Sequence, residues 1–268
     1  VTDISVTGFK STDGMKTLIN IVFIISFCHC YTQSQVLVHY KVADNAYILN
    51  EEELKKAPEG IRFAVVNSQK IYPHLVYTLM IKNKTESYFK NANEIIPQIG
   101  HLSEKLSEMI YNIALKNISQ GNYYTNLSDS LIVKEVSLQN QKFLINYSTQ
   151  KYQWQLKNDF KMINDFKCFK ATADVTFSNG VKTSLMKVTA WYAPGIPISL
   201  GPKGYAGLPG LILELQEDGI GIYASKIELN PQEFKIPIPT KGKRITEKQY
   251  NELQKEMFDK TLELHGGR

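Results

Sequence analysis

Cysteine, tryptophan and apolar runs of membrane length are scarce in this chain, and each scarcity removes a class of protein. The 268 residues include three cysteines and two tryptophans. Cys28 and Cys30 fall in an N-terminal segment that reads as removable, which leaves Cys168 alone. A single thiol excludes an intramolecular disulfide framework and a cysteine-based zinc site. Beside Phe166 and Phe169, it reads as a small core residue. The longest apolar run, Leu18 to Phe27, is about half of the ~20 residues that a spanning helix needs, so no lasting transmembrane anchor is expected. The histidines (His29, His39, His74, His101 and His265) lack the two-histidine spacing of a metal helix, and no Gly-x-Ser-x-Gly elbow is present. The pattern implies no metal, no cofactor and no named catalytic residue. Lys and Arg outnumber Asp and Glu by 31 to 26, for a net charge of +5. The excess is scattered, and its densest cluster, Lys241 to Arg244, reads as a basic surface loop. Nucleic-acid binding would need a broader basic footprint.

The apolar run has the makings of a secretory signal. Lys16 precedes it, and polar residues resume at Tyr31, the order of a positive n-region followed by a short h-region. Met15 stands just before Lys16, so the expected start is Met15, with residues 1–14 as upstream sequence and 15–34 as the signal peptide. Cleavage is expected near Thr32 to Ser34. A lipoprotein reading through Cys28 or Cys30 is weaker, because Phe27 and His29 are bulky for a processing site. Removal leaves about 235 residues, enough for one substantial domain. The region 35–268 reads as that domain.

Hydropathy patterning then predicts an α+β fold, predominantly antiparallel β: a curved sheet or partly open barrel, with one long packed helix and a C-terminal helix. Residues 35–49 begin with period-two alternation, and Ile61 to Val66 and 75–90 read as further extended segments. Ile95, Ile99, Leu102, Leu106, Met109 and Ile113 recur at helical spacing, which predicts a helix over 93–118 packed on the sheet. The 120s read as a loop. Alternation returns at Leu131–Leu138 and Phe143–Tyr147, joined by a hairpin connection at 139–142. It continues at Tyr152–Leu156, 171–177 and 182–193, with Asn179-Gly180 as a tight turn. Leu211–Leu215 and Ile220–Leu229 flank a second turn at Glu217-Asp218-Gly219. Pro231 to Pro239 reads as an extended arm. Thr246 and Gln249 form a capping box for a helix through about Leu262, with Tyr250, Leu253, Met257 and Leu262 as its apolar face.

The most unusual local chemistry lies at 190–215. Glycines fall three apart at 201, 204, 207 and 210, too briefly for a collagen helix. Leu211-Ile212-Leu213 follows the last of them where a phosphate loop would carry lysine and a hydroxyl. What remains is an ordered Gly-Pro connection over 193–210 between two strands. It either closes the end of the core or offers a contact surface, with Trp191, Tyr192 and Tyr205 as candidate binding residues.

Gly207-Leu208-Pro209-Gly210-Leu211-Ile212 resembles the motif that names the GLPGLI family of exported Bacteroidetes proteins. Ala190-Trp191-Tyr192, Ile196-Pro197-Ile198 and Gly201-Pro202 resemble that family's approach to the motif, and Trp154-Gln155-Leu156 and Cys168–Ala171 its earlier landmarks. The resemblance covers about 150–230. Gly195 stands where the family usually has an acidic residue, and Asn179-Gly180 replaces its common Gly-Arg turn. The resemblance implies export to the periplasm, the outer membrane or the medium. It brings no catalytic residue, because the family's activity is generally unassigned.

Two classes of function are consistent with these features. One is a non-enzymatic binding or accessory protein of the envelope, which uses 191–210 to hold an envelope protein or a small apolar ligand. The other is a hydrolase acting on an extracytoplasmic substrate through two of Asp174, Glu214, Glu217 and Asp218. A purely structural envelope protein is the bland alternative.

Overall fold

Alternation of apolar and polar residues accounts for most of the computed structural model, which describes residues 35–43, 52, 55, 58–97, 99–138, 140–178 and 183–265. The expected signal segment, residues 47–49 and the Asn179-Gly180 turn lie outside these residues. The first six strands are β1 (Gln35–Val42), β2 (Val76–Lys82), β3 (Glu86–Asn91), β4 (Asn122–Asn126), β5 (Leu131–Leu138) and β6 (Gln141–Ser148). The second six are β7 (Gln155–Ile163), β8 (Phe166–Ser178), β9 (Thr183–Ala193), β10 (Leu211–Glu217), β11 (Ile220–Leu229) and β12 (Lys243–Ile245). Three described helices complete the fold: α1 (Glu59–Gln69), α2 (Glu104–Ile118) and α3 (Glu247–His265).

All twelve strands join one sheet in the order β12-β6-β5-β4-β3-β2-β1-β11-β10-β9-β8-β7. The order ends in two free edges, so the sheet is not a closed barrel. Every pairing is antiparallel except β12 on β6. β1 ties the two halves together by pairing with both β2 and β11. Its Val36, Val38, Tyr40 and Val42 are buried while Lys41 is exposed, as expected of period-two alternation. The turn of the β10–β11 hairpin is as expected: Asp218 and Gly219 both take positive φ between the paired Glu217 and Ile220, which matches the twist of the flanking strands. Asn140, at φ 64, lies in the turn between β5 and β6.

Five expectations are corrected. Residues 61–66 belong to helix α1. Its inward face is Ala64, Asn67 and Ser68, and the two polar side chains donate to Phe63 O and Val65 O within the helix; small and polar residues on the packed face conceal the helical period. Residues 75–90 are a hairpin, because Asn83 and Lys84 adopt positive φ and reverse the chain. The long helix begins at Glu104, not at 93. The hydroxyl of Ser103 accepts from Leu106 N and starts it, and Ile95, an expected member of the apolar stripe, is 82% exposed. The face that enters the core is Ile110, Tyr111, Ala114 and Ile118. The expected loop in the 120s is strand β4.

The C-terminal helix starts as expected. Gln249 N donates to Thr246 Oγ1 and Thr246 N donates to Gln249 Oε1, the reciprocal pair of a capping box. Tyr250 and Leu253 seat α3 on Val136, Phe143 and Ile145. The Pro-rich arm packs Ile236 against Tyr88, Tyr124, Val133 and Leu144. Alternation puts those residues on the other face of the same strands. The exposed pair Lys243-Arg244 sits on edge strand β12 rather than in a loop.

Candidate functional site: a lysine- and tyrosine-lined cleft

The Gly-Pro connection folds inward. Ile196, Ile198, Leu200, Ala206 and Leu208 are all buried. Backbone bonds run from Leu211 N to Ile196 O, Ile212 N to Leu200 O and Gly207 N to Ser199 O. Gly210 is required by close approach: a Cβ there would lie 2.3 Å from Ala193 O. Gly204 brings the connection against the opposite flank of the sheet, where a Cβ would lie 2.8 Å from Ile132 Cγ2 on β5. Trp154 Nε1 donates to Ala206 O at 2.9 Å and holds the connection from a third direction.

Where the connection meets the sheet, a cleft of about 260 Å³ opens. Its walls come from β4–β6, from β8–β11 and from the first turns of α3. Strands that far apart in the sheet order can share a cleft only if the sheet curls. Lys203 and Tyr205 form the wall contributed by the connection. Lys203 adopts φ 57, a left-handed conformation that costs a non-glycine residue about 1–2 kcal/mol. Its ammonium is anchored by Glu217 and by Ile118 O, which holds that conformation. The Tyr205 hydroxyl donates to Glu217 Oε1 at 2.6 Å, and its ring stacks on Tyr152 at 4.3 Å. Burial, reinforced by the Glu217 charge, raises the Tyr205 hydroxyl well above the ordinary tyrosine range. Tyr123 is raised by the same two causes.

Lys134 is the unexpected member. It shares a strand face with Ile132 and Val136, a position that alternation assigns to an apolar residue. Burial, aided by the nearby positive charge of Lys203, pushes its ammonium down to about 8. Its ammonium stands over the Tyr123 ring at 5.8 Å. Lys151 lies at the rim, 4.2 Å from the centre of the Tyr147 ring. Among the described residues neither lysine has a hydrogen-bond or ion-pair partner. The carboxylates of the cleft are engaged: Glu217 by Lys203 and Tyr205, Glu247 by the Tyr147 hydroxyl at 3.3 Å, and Asp218 by Lys187 N at 3.1 Å.

The candidate binding residues separate. Tyr205 lines the cleft. Tyr192 is buried near Phe169, with ring centres 6.4 Å apart. Trp191, next to Tyr192 on β9, faces the other way and carries Lys161 over its ring at 4.4 Å. Lys161 also pairs with Glu214 at 2.6 Å. Of the motif residues, Gly207 takes positive φ, while Leu208, Leu211 and Ile212 are buried. Pro209 and Gly210 form the bend into β10.

The expected carboxylate pairs do not assemble into a free dyad. Glu214 and Glu217 lie on opposite faces of β10, and Asp174 is exposed on β8. His39 pairs with Glu228 at 3.1 Å, and His74 and His101 are exposed. Cys168 is buried, and burial pushes its thiol up to about 11. No group of three His, Cys, Asp or Glu that could hold a metal occurs among the described residues. No helix of these residues is long and apolar enough to cross a membrane. Lys134, Lys151 and the tyrosines at 123, 147 and 152 were not singled out in the sequence. The one available signal was a lysine on the inward side of an otherwise apolar strand.

A family model described as "Protein of unknown function (Porph_ging)" matches residues 178–214. That stretch covers β9, the Gly-Pro connection and the first residues of β10, and it links the chain to Porphyromonas and the Bacteroidetes. Two solved structures are similar, "Structure of PNGF-II in P21 space group" with a TM-score of 0.50 and "Structure of PNGF-II in C2 space group" with 0.49. Each is 10% identical, and each match covers 83% of this chain but 33% of the other. The chain therefore spans about a third of those proteins, and at this identity the likeness concerns fold alone. No curated protein matches the chain.

Proposed function

We propose that this is an exported accessory protein of the bacterial cell envelope, of the GLPGLI type, which binds a ligand in the cleft walled by Lys203 and Tyr205 and is not an enzyme. The observation that carries this reading is the cleft itself. Residues from both flanks of the sheet, from α3 and from the Gly-Pro connection converge on one concavity whose tyrosines and lysines are partly withdrawn from water. Such a concave site with a few polar groups is the usual form of a small-molecule site. The Gly-Pro connection contributes a wall that is already ordered, so little conformational entropy is lost on binding. The cleft carboxylates are all held by neighbouring donors, which leaves its lysines and tyrosines as the groups free to meet a ligand. Trp191, half-buried on the opposite face, is available to a protein partner instead.

Ligand-observed NMR against a library of small molecules tests this reading, with wild-type protein beside Asn251→Trp, which narrows the mouth from α3. Ligands that bind wild-type protein and are lost in the variant are expected. A library with no hit that distinguishes the two contradicts the cleft as a binding site. Export is tested separately by deleting residues 15–34 in the native host, which is expected to leave the protein in the cytoplasm. Unchanged recovery outside the cytoplasm contradicts a signal segment there.

A further inference from the structure

We infer that the cleft takes an anionic group, a carboxylate or phosphate on a small molecule with an apolar body, and that Lys134 in its depth and Lys151 at its rim are the counter-charges. The inference rests on the cleft being a ligand site and adds the chemistry of the ligand.

Hydrogen-bond accounting carries it. Every cleft carboxylate already accepts from a protein donor, whereas the donors are in surplus. Beyond the tyrosine rings they overlie, the ammonium groups of Lys134 and Lys151 have no hydrogen-bond or ion-pair partner among the described residues, and neither do the hydroxyls of Tyr123 and Tyr152. An ammonium on the inward face of a strand loses hydration and is ordinarily compensated by a paired charge. Of the charges that act on Lys134, Lys203 and Lys151 are of the same sign, and the carboxylates Glu247 and Glu217 are already engaged by Tyr147 and by Lys203 and Tyr205. A neutral ligand would leave Lys134 uncompensated, and a cation would add a further like charge. An oxyanion supplies the missing acceptors and can form charge-assisted bonds with both lysines. The rings of Tyr147 and Tyr152, beneath Lys151, together with Met186 and Phe177, offer apolar surface to the rest of the ligand.

The test compares three probes of nearly the same shape and different charge: benzoate, benzamide and benzamidine. Inorganic phosphate is a fourth probe, and each is titrated into the full chain and followed by backbone amide shifts. Benzoate or phosphate is expected to shift the amides around Lys134, Lys151, Tyr123 and Tyr152, with benzamide at least ~10-fold weaker and benzamidine weaker still. Response to benzoate alone identifies a carboxylate with a ring, and response to phosphate alone a phosphate group. Lys134→Met is expected to weaken the anion at least ~10-fold. Lys151→Met, at an exposed position that leaves folding unchanged, is expected to weaken it ~3-fold. Equal binding of benzamide, or preference for benzamidine, overturns the inference while leaving the cleft as a binding site. Absence of cleft shifts with all four probes overturns the inference and the binding role together.

Discussion

Glu214 and Glu217 stand three residues apart on β10, and each holds a lysine beside an aromatic ring, yet their surroundings differ. On one face Glu214 pairs with Lys161 across Trp191, and the lysine side chain is 36% exposed. On the other Glu217 pairs with Lys203 and accepts from Tyr205, and that lysine is 12% exposed. Only the second trio draws a residue of unfavourable backbone conformation, Lys203, into the wall of a cleft. The two carboxylates are buried alike, and the same three residue types thus leave a lysine half in water in one place and fasten a chain segment in the other. Burial of the lysine and its connection to the rest of the fold make the difference.

The comparison breaks most visibly at the rings. Tyr205→Ala is expected to cost about 4 kcal/mol, in the range for deleting a buried aromatic. Trp191→Ala is expected to cost about 2 kcal/mol or less, since part of that ring faces solvent. Urea unfolding of both variants checks the contrast, and equal losses would remove the distinction between the faces. Glycines of the same connection give the next effect. Gly210→Ala forces a methyl group onto the Ala193 carbonyl and is expected to cost about 3 kcal/mol. Gly195→Ala, whose Cβ would meet nothing closer than Phe166 at 3.8 Å, is expected to stay within about 0.5 kcal/mol. Thermal unfolding of the pair measures this.

The ion pairs themselves should differ less. Glu217→Gln leaves the Lys203 ammonium without its counter-charge and is expected to cost about 2.5 kcal/mol, near the lower end for a buried pair. Glu214→Gln is expected to cost at most about 1 kcal/mol, and chemical denaturation of the two separates them. The last contrast is a pH dependence. The Lys134 ammonium titrates at about 8 in the fold and at about 10.4 when unfolded. Between these values the unfolded chain binds more protons, so stability rises with pH. Above about pH 10 the unfolded tyrosines ionise before the buried ones, and stability falls again. Lys134→Met is expected to flatten the rise between pH 8 and 10 in denaturant midpoints. An unchanged slope would place that lysine in water.

Strand alternation was legible wherever one face is buried and the other wet, which covers β1, the β5–β6 hairpin and β8 to β11. Cap chemistry was legible too, at Thr246 and Gln249. Helix α1 was not, because its packed face carries Ala64, Asn67 and Ser68 while Phe63 and Val66 are partly exposed. Helix α2 was read too long because Ile95, Ile99 and Leu102 continue its spacing by coincidence, across a glycine with positive φ at 100. The separation of Trp191 from Tyr205 was invisible for a different reason. Residue 191 is placed by strand parity, but residue 205 is placed by a connection whose path depends on contacts with β4, β5 and Trp154. Lys134 announced itself only as a charge out of pattern. Tyr123 beneath it, and Tyr147 and Tyr152 beneath Lys151, are brought together by the fold and not by the sequence.

Native-state hydrogen exchange over 194–212 tests most directly the claim that the Gly-Pro connection is a closing wall of the core. The amides of Gly207, Leu211 and Ile212 donate to Ser199, Ile196 and Leu200 within the connection. They are predicted to exchange as slowly as those of the central strand β1, by opening that approaches global unfolding. Exchange at the rate of an open loop, with β1 still protected, would contradict the account.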